Sequence, residues 1–244
     1  MKKININQIY HTSHCGSTLM ATLLTGSAVV YCEPPWTQNI LLNDDVQIPE
    51  DIDNIVIKCG SGWCPFSNNL PGKKVFLYRK LKQHLFKIKS SYYMDSIIST
   101  KYEYYLNHCH SSLKDYQPKT HLEKIAFMWL NNVIWMKEVN NVLWIESNNF
   151  FKNKKETMDL VCEHFELDHV KNFDLSNVYV KSFGLIGNEK PINQVEIPNL
   201  GEVKSLYPSY GIIEDDMCNL YSEIGDIVLE VKERFPNMDV NLLE

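Results

Sequence analysis

Four short apolar runs rich in β-branched residues punctuate the first third of the chain: Ile4–His11, Val29–Glu33, Asn54–Cys59 and Lys74–Arg79. Runs of this length without a polar face predict buried parallel strands. A fifth run, Val142–Glu146, follows two long helical stretches. The first of these, about 92–107, mixes aromatic and polar residues, and the second, about 121–139, sets Ile125, Trp129, Ile134 and Trp135 on one stripe. Beyond the fifth run, 155–165 is amphipathic with Met158, Val161, Cys162 and Phe165 inward, and a last helix over 215–235 groups Leu220, Ile224, Ile227 and Val231. Strands alternating with helices predict a three-layer α/β fold, a parallel sheet of about five strands flanked by helices. Residues 1–244 fit one domain. Over 181–211 the periodicity dissolves into Gly, Pro and Asn, which predicts a lid or an acceptor-binding segment.

Charge narrows the partners. A net charge of −6 with scattered lysines argues against a nucleic-acid binder. No apolar stretch reaches membrane-spanning length, and Met1-Lys2-Lys3-Ile4-Asn5 lacks a signal core, so no membrane partner and a cytoplasmic location are expected. Seven cysteines, an odd number with no regular framework, suit reduced thiols. Neither the Cys59/Cys64 pair nor His108-Cys109-His110 matches a zinc-binding spacing, and no metal is expected.

The chemistry concentrates in Ile9–Met20, which reads as a strand, a tight polar turn and the first turn of a helix. That order gathers backbone N–H groups at a helix start and makes an anion site. Thr12, Ser13, His14, Cys15, Gly16, Ser17 and Thr18 form the loop: Gly16 admits close approach of a phosphate, and the Ser17 and Thr18 hydroxyls add donors. A Walker motif carries Gly-Lys-Ser/Thr here, whereas this chain has Gly16-Ser17-Thr18. The loop is built for phosphate but not for ordinary ATP or GTP hydrolysis.

Arg79 is one of only two arginines in the chain and closes an apolar strand, where open α/β sheets bind ligands. Its fork suits a phosphate monoester, against the alternative of a structural pair with a carboxylate. His14 is either a cation for the same ligand or a loop histidine without a role, and Lys58 is a second candidate cation at a strand end. Glu33, followed by Pro34-Pro35, is placed to act as a general base, with His11 and His84 as alternatives. Trp36 and Trp63 follow strand ends and could stack a base or wall a pocket, although aromatic residues there are commonly core.

The Gly16-Ser17-Thr18-Leu19 turn, together with Val30-Tyr31-Cys32-Glu33-Pro34, resembles the sulfotransferase family. Two further landmarks are similar to that family: Val75–Arg79 with Ser90-Ser91-Tyr92-Tyr93 beyond it, and Val142–Ser147 followed by Phe150 and the helix to Leu167. The resemblance spans residues 4–167. It implies a P-loop nucleotide-kinase-like fold and a donor, 3′-phosphoadenosine 5′-phosphosulfate (PAPS), whose sulfuryl group passes to a hydroxyl or amine of a small-molecule acceptor. In that scheme Thr12–Thr18 hold the 5′ side of the donor, Arg79 with Ser90 or Ser91 holds the 3′-phosphate, and no metal takes part. The chain departs from the family at His14, where Lys or Arg is usual, at Lys80-Leu81, and at Lys87, which stands where the family serine lies. The alternatives are a P-loop-like phosphotransferase, disfavoured by the missing Walker lysine, and a nucleotide-binding protein without catalysis, which His14 keeps open. The pattern sets no oligomeric state.

Overall fold

The computed structural model of the chain describes residues 5–32, 54–69, 71–90, 95–171, 173, 179–182, 195–196 and 212–244. The five expected strands are present: β1 (Asn5–His11), β2 (Val29–Cys32), β3 (Asn54–Lys58), β4 (Lys74–Tyr78) and β5 (Val142–Glu146). They run parallel in the order β5-β4-β1-β3-β2. Two more strands extend the sheet beyond β2. β6 (Tyr179–Ser182) is parallel to β2, and β7 (Val195–Glu196) is antiparallel to β6. The 181–211 stretch therefore supplies sheet edge at these positions, where the sequence pattern shows none. The rest of that stretch lies outside the described residues.

Successive strand residues feed opposite cores, as the two-residue pleat requires. Tyr10, Ile55, Ile57 and Phe76 face one side, while Ile9, Val56, Val75 and Leu77 face the other. The second side is closed by α1 (Ser17–Leu23) through Leu19, Met20 and Leu23, and by α6 (Lys154–Phe165) through Met158, Val161, Cys162 and Phe165. Short α5 (Ser147–Lys152) leads into α6. The first side is covered by α2 (Leu81–Ser90) and α4 (His121–Lys137), the latter started by a reciprocal cap between Thr120 and Glu123. Helix α3 (Asp95–Asn107) packs beside them. Trp129 is buried as expected, and Trp135 is half-buried against the same core.

The C-terminal segment differs from its expected single helix. It divides into α7 (Asp215–Cys218) and α8 (Ser222–Arg234), and α9 (Val240–Leu243) follows. Ile224, Ile227 and Val231 are buried, but Leu220 falls in the break and is 74% exposed. Among the described residues no helix is long and apolar enough to cross a membrane, and no group of three or more His, Cys, Asp or Glu side chains could hold a metal ion.

Candidate functional site

The chain order of the sheet reverses around β1: α1 leads outward to β2, whereas β4 returns to the opposite flank of β1. A crevice at the carboxyl ends of the strands follows from such a reversal. Register decides what reaches it. Lys58 is level with Ile9, and Leu77 with His11, so the ends of β3 and β4 flank the loop that leaves β1. The Thr12 N–H continues the ladder to the Leu77 carbonyl at 3.1 Å, and the Arg79 N–H donates to Thr12 Oγ1 at 3.1 Å.

The loop turns through two left-handed residues, His14 at φ 58° and Gly16 at φ 96°. Gly16 is needed twice over: a Cβ there would also lie 2.8 Å from the Phe151 ring. The loop carbonyls are held from behind. Ser147 Oγ donates to the Cys15 carbonyl at 2.7 Å, and Arg79 Nη2 donates to the His14 carbonyl at 3.4 Å. Fixing those carbonyls fixes the opposite orientation of the peptide units between them, a geometry suited to an anion. The Cys15 side chain points away into the core, donating to the Leu77 carbonyl at 3.2 Å, and burial pushes its thiol up to about 11. Only its backbone is available to a ligand. Ser17 is buried at the start of α1, and Thr18, half-buried, follows it.

Arg79 is wholly buried beneath this loop. Its Nη1 donates to Asn148 Oδ1 at 3.2 Å, and its carbonyl accepts from Trp129 Nε1 at 2.8 Å. These hydrogen bonds go to neutral groups, and the field of the Glu146 carboxylate also bears on Arg79. Asn148 also ties itself to Ile213, accepting its N–H at 3.1 Å and donating to its carbonyl at 2.8 Å. Ser147 and Asn148 thus carry the loop and its arginine, roles the sequence did not disclose, although both lie at the end of a recognisable strand.

Positive charge gathers around the turn. The fields of Lys101, Lys87, His11 and Arg79 all bear on His14, and that of Lys58 bears on Cys15. Burial first, and then these cations, hold the His14 pKa down at about 4, so in this structure it is neutral near pH 7. His84, also buried, is held down to about 3 by burial and by His14 and Arg79. Of the two sequence readings of His14, the cation is not the one seen here, and Lys87 and Lys101 carry charge beside the turn instead. Lys87 occupies the α2 position eight residues beyond Arg79 and is itself buried, and desolvation followed by Arg79 lowers its pKa. Ser90 instead ends α2, exposed, with its hydroxyl donated to the Lys87 carbonyl at 3.1 Å. Helical periodicity applied to α2 would have found Lys87. Nothing in the local pattern marks Lys101.

His11 is buried with Nδ1 3.0 Å from the Thr12 carbonyl. Trp63 is half-buried against the core in a 3₁₀ segment, Ser61–Asn69, with its ring against Phe66. Glu33, Trp36 and Ser91 lie outside the described residues.

No family model matches the sequence, and no curated protein does. Among solved structures, mouse sulfotransferase SULT7A1 complexed with PAP is similar to this chain at a TM-score of 0.50 and 12% identity, covering 97% of this chain and 86% of that one. The sulfotransferase domain from the curacin biosynthetic pathway gives a TM-score of 0.46 at 10% identity, covering 95% of this chain and 99% of that chain. A sulfotransferase from Alicyclobacillus acidocaldarius gives 0.43 at 12%, covering 99% of both. The likeness to the mouse enzyme establishes the fold: this chain has the sulfotransferase fold.

Proposed function

We propose that this protein is a PAPS-dependent sulfotransferase acting on a small acceptor. The observation that carries the reading is the convergence of Lys58, Arg79, Lys87 and Lys101 on a left-handed glycine loop, in a chain whose net charge is −6. A concentrated cationic site in an acidic protein selects a multiply charged anion. The fold supports a donor of this type, since the mouse sulfotransferase of the same fold is complexed with PAP.

In this reading Thr12–Thr18 hold the 5′ side of the donor, and Arg79, from beneath the loop, acts with Lys87 on the 3′-phosphate through its charge. The acceptor atom bonds to sulfur as the bond from sulfur to the bridging oxygen breaks, and the electron pair leaves on the bisphosphate. Loop N–H groups and cations stabilise the charge that develops there. A bound anion favours protonated His14, which then adds to the same stabilisation. Glu33 takes the acceptor's proton. Glu33→Gln is expected to lower turnover by roughly 10²–10⁴ while leaving donor affinity in place, as measured by parallel kinetics and calorimetry. Near-normal turnover would rule that carboxylate out.

Calorimetry with adenosine 3′,5′-bisphosphate and with ATP tests the donor, and transfer of labelled sulfate tests the chemistry. Binding of the bisphosphate with transfer is expected. Tighter binding of ATP would favour the phosphotransferase, and binding without transfer a non-catalytic nucleotide-binding protein.

A further inference from the structure

Behind the glycine loop lies a cavity of about 20 Å³, room for one water-sized group. Thr12, Ser13, Ser61, His84, Tyr105 and Asn132 give it a polar side, and Lys101 also lines it. Its hydroxyls are chained: Ser13 Oγ donates to Ser61 Oγ at 3.1 Å, and Asn132 Nδ2 donates to the Tyr105 hydroxyl at 2.9 Å. Two deeply buried acceptor atoms remain, His84 Nδ1 and Asn132 Oδ1, and neither has a hydrogen-bond partner among the described residues. The His84 ring bonds the backbone of Ser13, so its lone pair at Nδ1 is the open valence. Such atoms call for a guest that donates.

Ile88, Ile98 and Ile125 line this cavity and also line a larger groove of about 610 Å³ between α2, α3, α4 and α8. That volume is in the small-molecule range. The groove has an aliphatic floor and a rim carrying Glu123, Glu223, Asp226 and Glu230 against Lys89 and His121. Lys89 pairs with Glu223, Glu230 with Arg234 at 3.3 Å, and Glu123 caps α4. Asp226 is exposed and has no ion pair among the described residues. Charge therefore changes sign along the two cavities, from cationic at the loop to acidic at the outer rim.

We propose that the two cavities together bind the sulfuryl acceptor as an amphipathic amino alcohol, its hydroxyl giving its one hydrogen bond to His84 Nδ1 or Asn132 Oδ1 until the transfer step, and its cationic group at the Asp226 rim. The assignment rests on the sulfotransferase reading and names the class of substrate. The charge gradient sets the direction of binding, since an ammonium is repelled by Lys101 at the inner end and attracted at the outer one. The aliphatic floor takes the carbon chain.

The test uses the full chain saturated with adenosine 3′,5′-bisphosphate and three probes measured by calorimetry: 6-amino-1-hexanol, hexylamine and 6-hydroxyhexanoate. The amino alcohol is expected to bind about three- to tenfold more tightly than either of the others, the scale of one partly exposed ion pair or one hydrogen bond. Asp226→Lys, on the exposed face of α8, is expected to reverse the order of the amino alcohol and the hydroxy acid. Equal affinities, or a wild-type preference for the hydroxy acid, would overturn the assignment while the bound bisphosphate left the donor reading standing. Hexylamine binding as well as the amino alcohol would overturn the inner hydroxyl seat. Failure of the bisphosphate to bind would overturn the donor reading, and the acceptor assignment with it.

Discussion

Gly16 meets two constraints at once. Its φ of 96° strains any side chain, and its Cβ position is taken by Phe151. Gly16→Ala is expected to destabilise the fold by about 1–3 kcal/mol and to weaken bisphosphate binding, because the loop must move to relieve the contact. Adding Phe151→Leu should return part of the stability but not the φ cost. A Gly16→Ala protein with unchanged melting and binding would show that the turn is not held as described. His14 and His84 give a second prediction at this scale. Both are basic groups whose pKa falls on folding, to about 4 and about 3, and His164 shifts in the same direction, chiefly through burial. The unfolded chain therefore binds more protons below about pH 6.5, so stability is full above that pH and falls as pH drops toward 4. Each such proton adds a slope of about 1.4 kcal/mol per pH unit. Urea midpoints at pH 7 and pH 5 check this. His14→Asn should flatten the slope, and in the wild-type chain saturating bisphosphate should flatten it as well by favouring protonated His14. Residue chemistry was legible where the backbone dictated it, as at Gly16, but the ionisation of His14 was not. Its neutrality comes from burial and from Lys87 and Lys101, which only the packing of α2 and α3 brings near.

At the scale of elements, the strands were readable because burial on both faces leaves continuous apolar runs, and β5 matches its sequence range at both ends. The edge strands β6 and β7 were not, since four and two residues give no period to read. The single helix expected over 215–235 broke because Leu220 looks in phase with Ile224 while α8 begins only at Ser222. The functional consequence of the elements lies at the start of α5, which the pattern marked only as the continuation of a strand. Asn148 there bonds Arg79 and both backbone groups of Ile213, joining the loop's support to the C-terminal segment. Asn148→Ala leaves the Ile213 N–H and carbonyl unpaired in a buried place and removes an arginine partner. It is expected to cost about 2–4 kcal/mol, summed over these groups. Bisphosphate affinity should fall as well, because Arg79 no longer holds the His14 carbonyl in place. Chemical denaturation together with calorimetry measures both. Stability lost with affinity intact would confine Asn148 to the fold, and no loss of either would show that the contacts carry little.

Over the whole molecule, a net charge of −6 conceals a local field of opposite sign. Composition shows no overall basic excess, yet the carboxyl ends of the central strands carry Lys58 and Arg79, joined by Lys87 and Lys101 from the helices above them. The crevice, walled by two apolar cores, focuses that positive potential on a small anion. This division predicts how binding responds to salt and to single charges. Bisphosphate affinity should fall steadily as ionic strength rises, since much of it is attraction between charges. Lys101 is the cation to test, because it is partly exposed and sits on α3, whereas Arg79 is wholly enclosed and its loss would disturb the loop. Lys101→Gln keeps the length and polarity and removes the charge. Affinity is expected to drop by about three- to tenfold, a loss of roughly 0.7–1.4 kcal/mol, and the salt dependence should become shallower. Calorimetry across a salt series at pH 7 reads both quantities. A parallel shift, with affinity lower but the slope unchanged, would mean that Lys101 acts through the shape of the cavity rather than through its charge. An unchanged constant at low salt would take it out of the donor's field.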